Sequence, residues 1–283
     1  MERHEALLFI LEEPLFKKKE ITSIKNFIEI VFYNGTIDCY CPYCRKSTVY
    51  KNINSFDKEI SEYKQIIFNN SIVSYRNNQK RVDPLDEFIQ PTIYQLDFAC
   101  SRNDTHTLNI FYKVENKTIT KVGQSPSLFD IQKGNISKYK KLLGDNYKDL
   151  YNALMFYSNK FGIAAFAHLR RIIENFFIDS AYNQRKLEPD WQENTYKDLR
   201  FKEKIGLLKD NLPSHLVNNP HIYSILSKGL HELDGDECLL YFNAVKECIL
   251  LCQDEKLVEK EKAKREREVN SELARIQHHI KKT

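Results

Sequence analysis

The sequence predicts an α+β chain: a small antiparallel β module, then an all-α antiparallel helical bundle, then a charged helical tail. Three observations carry that expectation. Short runs of alternating apolar and polar residues, bounded by turn signals, lie before about residue 122, and two of them stop on cysteines. Beyond about residue 137 apolar residues recur at helical spacing. From Lys256 onward Lys, Arg and Glu dominate. The expected boundaries are 1–130 for the β module with a helical insertion, 137–255 for the bundle and 256–283 for the tail.

Within the first part, Ile24–Phe32 is rich in β-branched and aromatic residues, a composition that favours strand. Asn34-Gly35 follows as a tight-turn signal. Thr36–Tyr40 reads as a strand running into Cys41-Pro42-Tyr43-Cys44. Residues 45–93 are polar and Asn-rich, with a helix expected around Ser55–Phe68. Tyr94, Leu96 and Phe98 alternate with Gln95, Asp97 and Ala99 in a strand that stops at Cys100. Thr107–Lys113 and Thr118–Val122 form a hairpin around Glu115-Asn116-Lys117. Gly123–Ser127 then breaks the pattern. The Lys121–Ser127 loop could offer N–H groups to an anion, but its single glycine favours a plain connector.

The helices expected next are Tyr147–Tyr157, Ile163–Tyr182, Phe201–Leu208, Ile222–Gly229 and Glu237–Gln253, the last capped by Asp234 or Asp236. Leu150, Leu154 and Tyr157 share one face of the first. Ala165, Leu169, Ile172, Ile173, Phe176 and Phe177 make the apolar stripe of the second. In the tail Val269, Leu273, Ile276 and Ile280 are spaced four, three, four. This brief heptad seam would pack on the chain itself or on a partner protein, and basic residues beside it could touch phosphates.

Composition narrows the class. With 283 residues, 42% hydrophobic, the chain can bury a core. A net charge of +4 permits nucleic acid as a partner without requiring it. Seven cysteines, an odd number in a chain this long, make a disulfide framework a poor reading. The early apolar run Ala6–Leu11 is too short and too acidic in its flanks for a signal peptide. No stretch approaches the length needed to span a bilayer. The expectation is a cytoplasmic protein, away from membranes, with reduced thiols free to bind metal.

Cys41 and Cys44 form one metal-binding knuckle, and Cys100 with His106 forms the other half of a tetrahedral zinc set. Each half sits at a strand end, as in a zinc ribbon, and a helical insertion fills the long spacing between them. Such a site is structural, because four protein ligands leave no open position for water. Cys39, two residues before Cys41, is the reserve ligand. The bland alternative makes Cys100 a core residue and His106 a surface one. Cys248 and Cys252 share a helix face and read as core packing.

Two helical segments carry unusual polar content. In the first, Glu174 can pair with Arg171 or with Arg170 along the helix, either as a structural ion pair or as part of a site. In the second, His231 stands just past a helix end beside Glu232 and Asp234. It is set up for acid/base work or, more blandly, for capping the last carbonyls.

Taken together, Cys41-Pro-Tyr-Cys44, Phe98-Ala-Cys100 through His106, Lys121-Val-Gly-Gln-Ser-Pro-Ser127, Leu169-Arg-Arg-Ile-Ile-Glu174 and Leu226-Ser-Lys-Gly-Leu-His-Glu-Leu233 resemble a group of bacterial proteins. In that group a zinc ribbon precedes a helical domain similar to the HEPN superfamily. The resemblance covers residues from about 36 to 255. It implies an RNA-directed protein acting as a homodimer, in settings such as antiphage defence, with metal-independent endoribonuclease chemistry in many members. Those nucleases carry an Arg separated from a His by four to six intervening residues. Here Leu226, Ile225 and Ser224 hold the corresponding positions before His231, and Lys228 is on another face. The catalytic cation would then come from Arg170 or Arg171, with Glu174 beside them and His231 moving the proton. Members lacking the motif are better read as binding or assembly modules. A DNA-binding regulator using Arg45, Lys46 and Lys51 is a third reading, weakened by the modest charge and the lack of a recognition helix.

Overall fold

The computed structural model describes residues 5–62, 65 and 91–281, and its architecture is α+β. The chain divides into two compact units: Met1–Ser137 with Leu154–Lys160, and Lys138–Ala153 with Phe161–Thr283. Among the described residues no helix is long and apolar enough to cross a membrane.

The first unit contains α1 (Glu5–Leu11), β1 (Lys18–Glu20), α2 (Ile24–Val31), β2 (Thr36–Cys41), β3 (Lys46–Asn52), β4 (Thr92–Cys100), β5 (Asn103–Glu115), β6 (Thr118–Ser125) and α3 (Leu128–Ile136). The strands make one six-stranded sheet in the order β1-β6-β5-β4-β3-β2, antiparallel throughout. Alternation fixes which face is covered. Ile37, Tyr50, Leu96, Phe98, Leu108, Ile110, Tyr112 and Val114 are all fully buried on one side. The other side presents Gln95, Asp97 and Asn109, joined by hydrogen bonds from the Gln95 and Asn109 amides to Asp97 Oδ1. The β5–β6 hairpin closes through Asn116-Lys117, both in the left-handed region (φ 48° and 56°), as a two-residue turn with matching twist requires.

Ile24–Val31 is a helix, not the strand its composition favours. Ser23 caps it by accepting a hydrogen bond from the Asn26 N–H, and Ile24, Phe27 and Val31 bury at helical spacing. Eight residues are too few for β-branching to outweigh a cap and a helical stripe that meet the sheet. Gly35 follows without a left-handed φ, so Asn34-Gly35 closes no primed hairpin turn. Of the helix expected at Ser55–Phe68, residues 57–62 are helical, and 63, 64 and 66–68 lie outside the described residues.

The second unit is helical. It contains α5 (Gly162–Arg171, continuing through a π segment Ile172–Ile178 and Asp179–Arg185), α6 (Glu193–Asp198), α7 (Phe201–Leu207), α8 (Ser214–Asn218), α9 (Ile222–His231) and α10 (Gly235–Ile280). The connecting helix α4 (Tyr147–Ser158) contributes its first residues, through Ala153, to this unit. Two glycines allow close packing: Gly162 lies on the Gly235 carbonyl and Gly229 on the Phe166 ring, where a Cβ would collide. Asp234 and Glu237 form a capping box at the start of α10. The tail expected beyond Lys256 is the second half of this same helix, which runs unbroken for 46 residues.

One buried charge holds α1 to the sheet. Lys121 on β6 is fully buried, and its Nζ donates to the carbonyls of Phe9 (3.2 Å) and Ile10 (3.1 Å) and to Gln124 Oε1 (3.1 Å). The two carbonyls belong to the last turn of α1, where helices lack acceptor partners and favour cations. Burial pushes the Lys121 pKa down from 10.5 to about 7, with Glu13 working in the opposite direction. Between those values the unfolded chain holds a proton that the folded chain has released, so stability rises with pH across that window. Lys121→Met removes this component. Denaturant unfolding at steps from neutral to alkaline pH should give a flatter stability profile for the variant, and parallel profiles would rule out the assignment.

Candidate metal centre

The centre is built at the tips of two adjacent hairpins. β2 ends on Cys41, the chain turns through Pro42-Tyr43-Cys44-Arg45, and β3 begins at Lys46. Arg45 takes a left-handed conformation (φ 55°) to complete that turn. β4 ends on Cys100 and β5 begins at Asn103. Pairing of Tyr50 with Cys100, Lys51 with Ala99 and Asn52 with Phe98 sets the hairpins side by side. The β4–β5 register slips between Ala99 and Cys100: Ala99 pairs with Thr107 but Cys100 with Asn103. The unpaired residues Asp104–His106 bulge there, and the bulge turns His106 toward the cysteines.

Cys41, Cys44, Cys100 and His106 are thereby brought together, with one ligand atom from each within 4.8 Å of the others. Cys44 Sγ lies 3.2 Å from His106 Nδ1 and 3.9 Å from Cys100 Sγ, and Cys41 Sγ lies 3.8 Å from His106 Nδ1. A tetrahedron with bonds of about 2.0–2.3 Å has edges of roughly 3.3–3.8 Å, so these separations suit one small ion. The Cys44 N–H donates to Cys41 Sγ (3.4 Å), which helps to hold a thiolate. Burial works against ionisation of Cys100, but the N–H groups of Arg102 and Asn103 and the Thr48 hydroxyl outweigh it and bring its pKa down to about 7. The Tyr43 ring lies over His106, with centroids 5.1 Å apart.

Cys39, the reserve ligand, stands outside the four-residue cluster. Burial, then the neighbouring Cys41 and Asp38, push its thiol up to about 12, so it stays protonated.

The polar residues of the helical unit form two separate groups. Arg170 donates to Glu174 Oε1 (2.9 Å) and to the Tyr223 hydroxyl (2.7 Å), and Tyr223 donates to the same Glu174 oxygen (2.8 Å). Tyr223 is stacked on Phe201 at 3.6 Å and has the Arg170 guanidinium over its ring at 4.9 Å. Phe201, Lys202, Pro220, His221, Tyr223 and Ser224 line a shallow depression beside it. In the second group, Asp149 is buried, lies 2.7 Å from His168 Nδ1, and is 3.5 Å from Arg171. His231 is the last residue of α9 and is exposed, and no hydrogen bond or ion pair joins it to either arginine among the described residues. Asp149, His168 and Tyr223 were not singled out from sequence. His168, one helical turn before Arg171, was the available signal.

The chain matches no protein-family model, no curated protein and no solved structure.

Elemental analysis of purified protein should find about one metal ion per chain, falling well below that in Cys44→Ser and His106→Ala. Chelation should destabilise the sheet by on the order of 5 kcal/mol. That is less than the about 10–16 kcal/mol of isolated zinc fingers, because this sheet has its own apolar core.

Proposed function

We propose that the chain is a zinc-ribbon-bearing, HEPN-like protein of the bacterial cytoplasm that binds RNA without turning it over. The ion is zinc, because three thiolates and one imidazole in a tetrahedral arrangement form a structural zinc set. Such an ion ties two hairpins together and leaves no coordination position for a substrate. The observation that carries the non-catalytic reading is the partnering of the helical cations. Arg170 and Glu174 are engaged with Tyr223, and Arg171 faces Asp149. A catalytic arginine must be free to meet charge as it develops on a phosphorane.

A second reading, a degenerate metal-independent RNase in antiphage defence, is favoured by one observation. Arg171 keeps 57% of its side chain exposed despite Asp149. It could therefore still reach a phosphate while exposed His231 moves the proton.

Incubation of mixed cellular RNA with zinc-loaded protein in EDTA too brief to unfold it separates the readings. The binding reading expects retarded but intact RNA. Cleavage by wild type that is lost in both His231→Ala and Arg171→Ala would establish the nuclease instead. Neither retention nor cleavage would leave protein binding and assembly as the role of the two units.

A further inference from the structure

Arg170, Tyr223 and Phe201 form a layered stack in the helical unit. Phe201, the first residue of α7, lies 3.6 Å from Tyr223 at an interplanar angle of 9°, so it covers one face of that ring. The Arg170 guanidinium, 4.9 Å from the Tyr223 centroid, must then lie over the opposite face. The Tyr223 hydroxyl is held in turn by Arg170 and Glu174. Both faces of Tyr223 are thus taken, and the stack ends on Phe201. Phe201 is half-buried, and among the described residues no second ring or cation lies against it. The platform is ordered before any ligand arrives, so a planar ring that extends it loses little further entropy.

Two unengaged basic side chains stand beside this platform. Phe201, Lys202, Pro220, His221, Tyr223 and Ser224 line a depression of about 290 Å³. Lys202 and His221 are exposed, and among the described residues neither side chain has a hydrogen bond or ion pair. Their charged neighbours are engaged. Lys204 lies over the Tyr196 ring at 4.9 Å, Lys228 pairs with Glu232 at 3.6 Å, and Glu203 accepts from the Arg200 N–H at 2.7 Å. No carboxylate is among the residues that line the depression, so the local charge favours an anion there. The Ser224 hydroxyl donates to the His221 carbonyl (2.7 Å), which leaves its oxygen to accept from a ligand hydroxyl.

We propose that this depression binds a nucleoside phosphate: the base stacks on Phe201, the phosphate meets Lys202 and His221, and the ribose lies at Ser224. Aromatic platforms flanked by cations hold bases and phosphates together. An apolar ligand would make no use of the two basic groups, and a bare phosphate none of the stack. The volume, about 290 Å³, is at the small end of ligand sites and suits a single nucleotide. That nucleotide is either free or one residue of a single strand, and the recognising chemistry is the same for both. The site stands apart from the RNA-binding role proposed above, because free nucleotides test it alone.

Isothermal titration calorimetry of the full chain with AMP, adenosine and ribose 5-phosphate is the experiment. AMP should bind at least about tenfold more tightly than either fragment, since each fragment lacks one half of the recognition. Lys202→Ala, at an exposed position without partners, should weaken AMP about tenfold and leave adenosine unchanged. Phe201→Leu, with its helix content checked by circular dichroism, should reduce AMP to the level of ribose 5-phosphate. Single-stranded RNA of about twelve nucleotides then identifies the source of the occupant. Displacement of AMP by RNA at lower concentration than AMP itself requires would assign the site to a strand, and weaker or no displacement to the free nucleotide. No heat with millimolar AMP, AMP no tighter than ribose 5-phosphate, or equal AMP affinity in wild type and Lys202→Ala would each overturn the site. RNA retention by wild type would survive any of these three results, so the two roles fail separately.

Discussion

Three residue pairs between β3 and β4 hold the first unit's chemistry in place. Tyr50, Lys51 and Asn52 pair with Cys100, Ala99 and Phe98, and this short ladder, extended by the Ser101 N–H on the Val49 carbonyl, joins the hairpin that turns after Cys41 to the hairpin that turns after Cys100. A slip of β3 by one residue would move Tyr50 to the solvent face and swing Cys41 and Cys44 away from Cys100 and His106. The buried partners make that slip costly, because Tyr50 and Phe98 are fully buried and Cys100 nearly so. Register is therefore fixed by the apolar face, and the ligand geometry follows from register. An ion held there would reinforce an arrangement that the core already specifies.

The grouping of Cys41, Cys44 and Cys100 was legible because they lie at places that local rules identify: a Cys-x-x-Cys turn, and a strand stopping on Cys100. The means by which His106 joins them was not legible. It depends on a bulge between Ala99 and Cys100, and a bulge leaves no signature when neighbouring residues are as polar as Asn103–Thr107. The composition of Ile24–Phe32 misleads for a different reason. Short apolar runs satisfy strand and helix templates alike, and the deciding signal was Ser23, one residue outside the run. Lys121 was read as part of a connector, although its position in β6 beneath α1 makes it a buried anchor.

In the helical unit, the sequence located the polar residues but not their partners. Arg170 and Glu174 could be paired from spacing alone. Tyr223 and Asp149 come from other helices, and the contacts they make depend on how those helices pack. The helix also widens into a π segment at Ile172–Ile178, which follows directly on Arg171 and contains Glu174. Widening the turn there places Asp179 N–H on the Glu174 carbonyl and alters the phase of every side chain beyond it. No helical periodicity at a fixed 3.6 residues can foresee such a change.

The connection between β3 and β4 leaves from Asn52 and returns at Thr92, at the end of the strands remote from Cys41 and Cys100. Closing a longer loop costs only about 0.6 kcal/mol for each doubling of its length. Lengthening that connection beyond Asn54, whose amide bonds Asp97 on β4, would therefore leave the cysteine turns unaltered. The metal centre and this connection are free to evolve at different rates. Insertions there can be absorbed at small entropic cost while the turns at Cys41 and Cys100 keep their register.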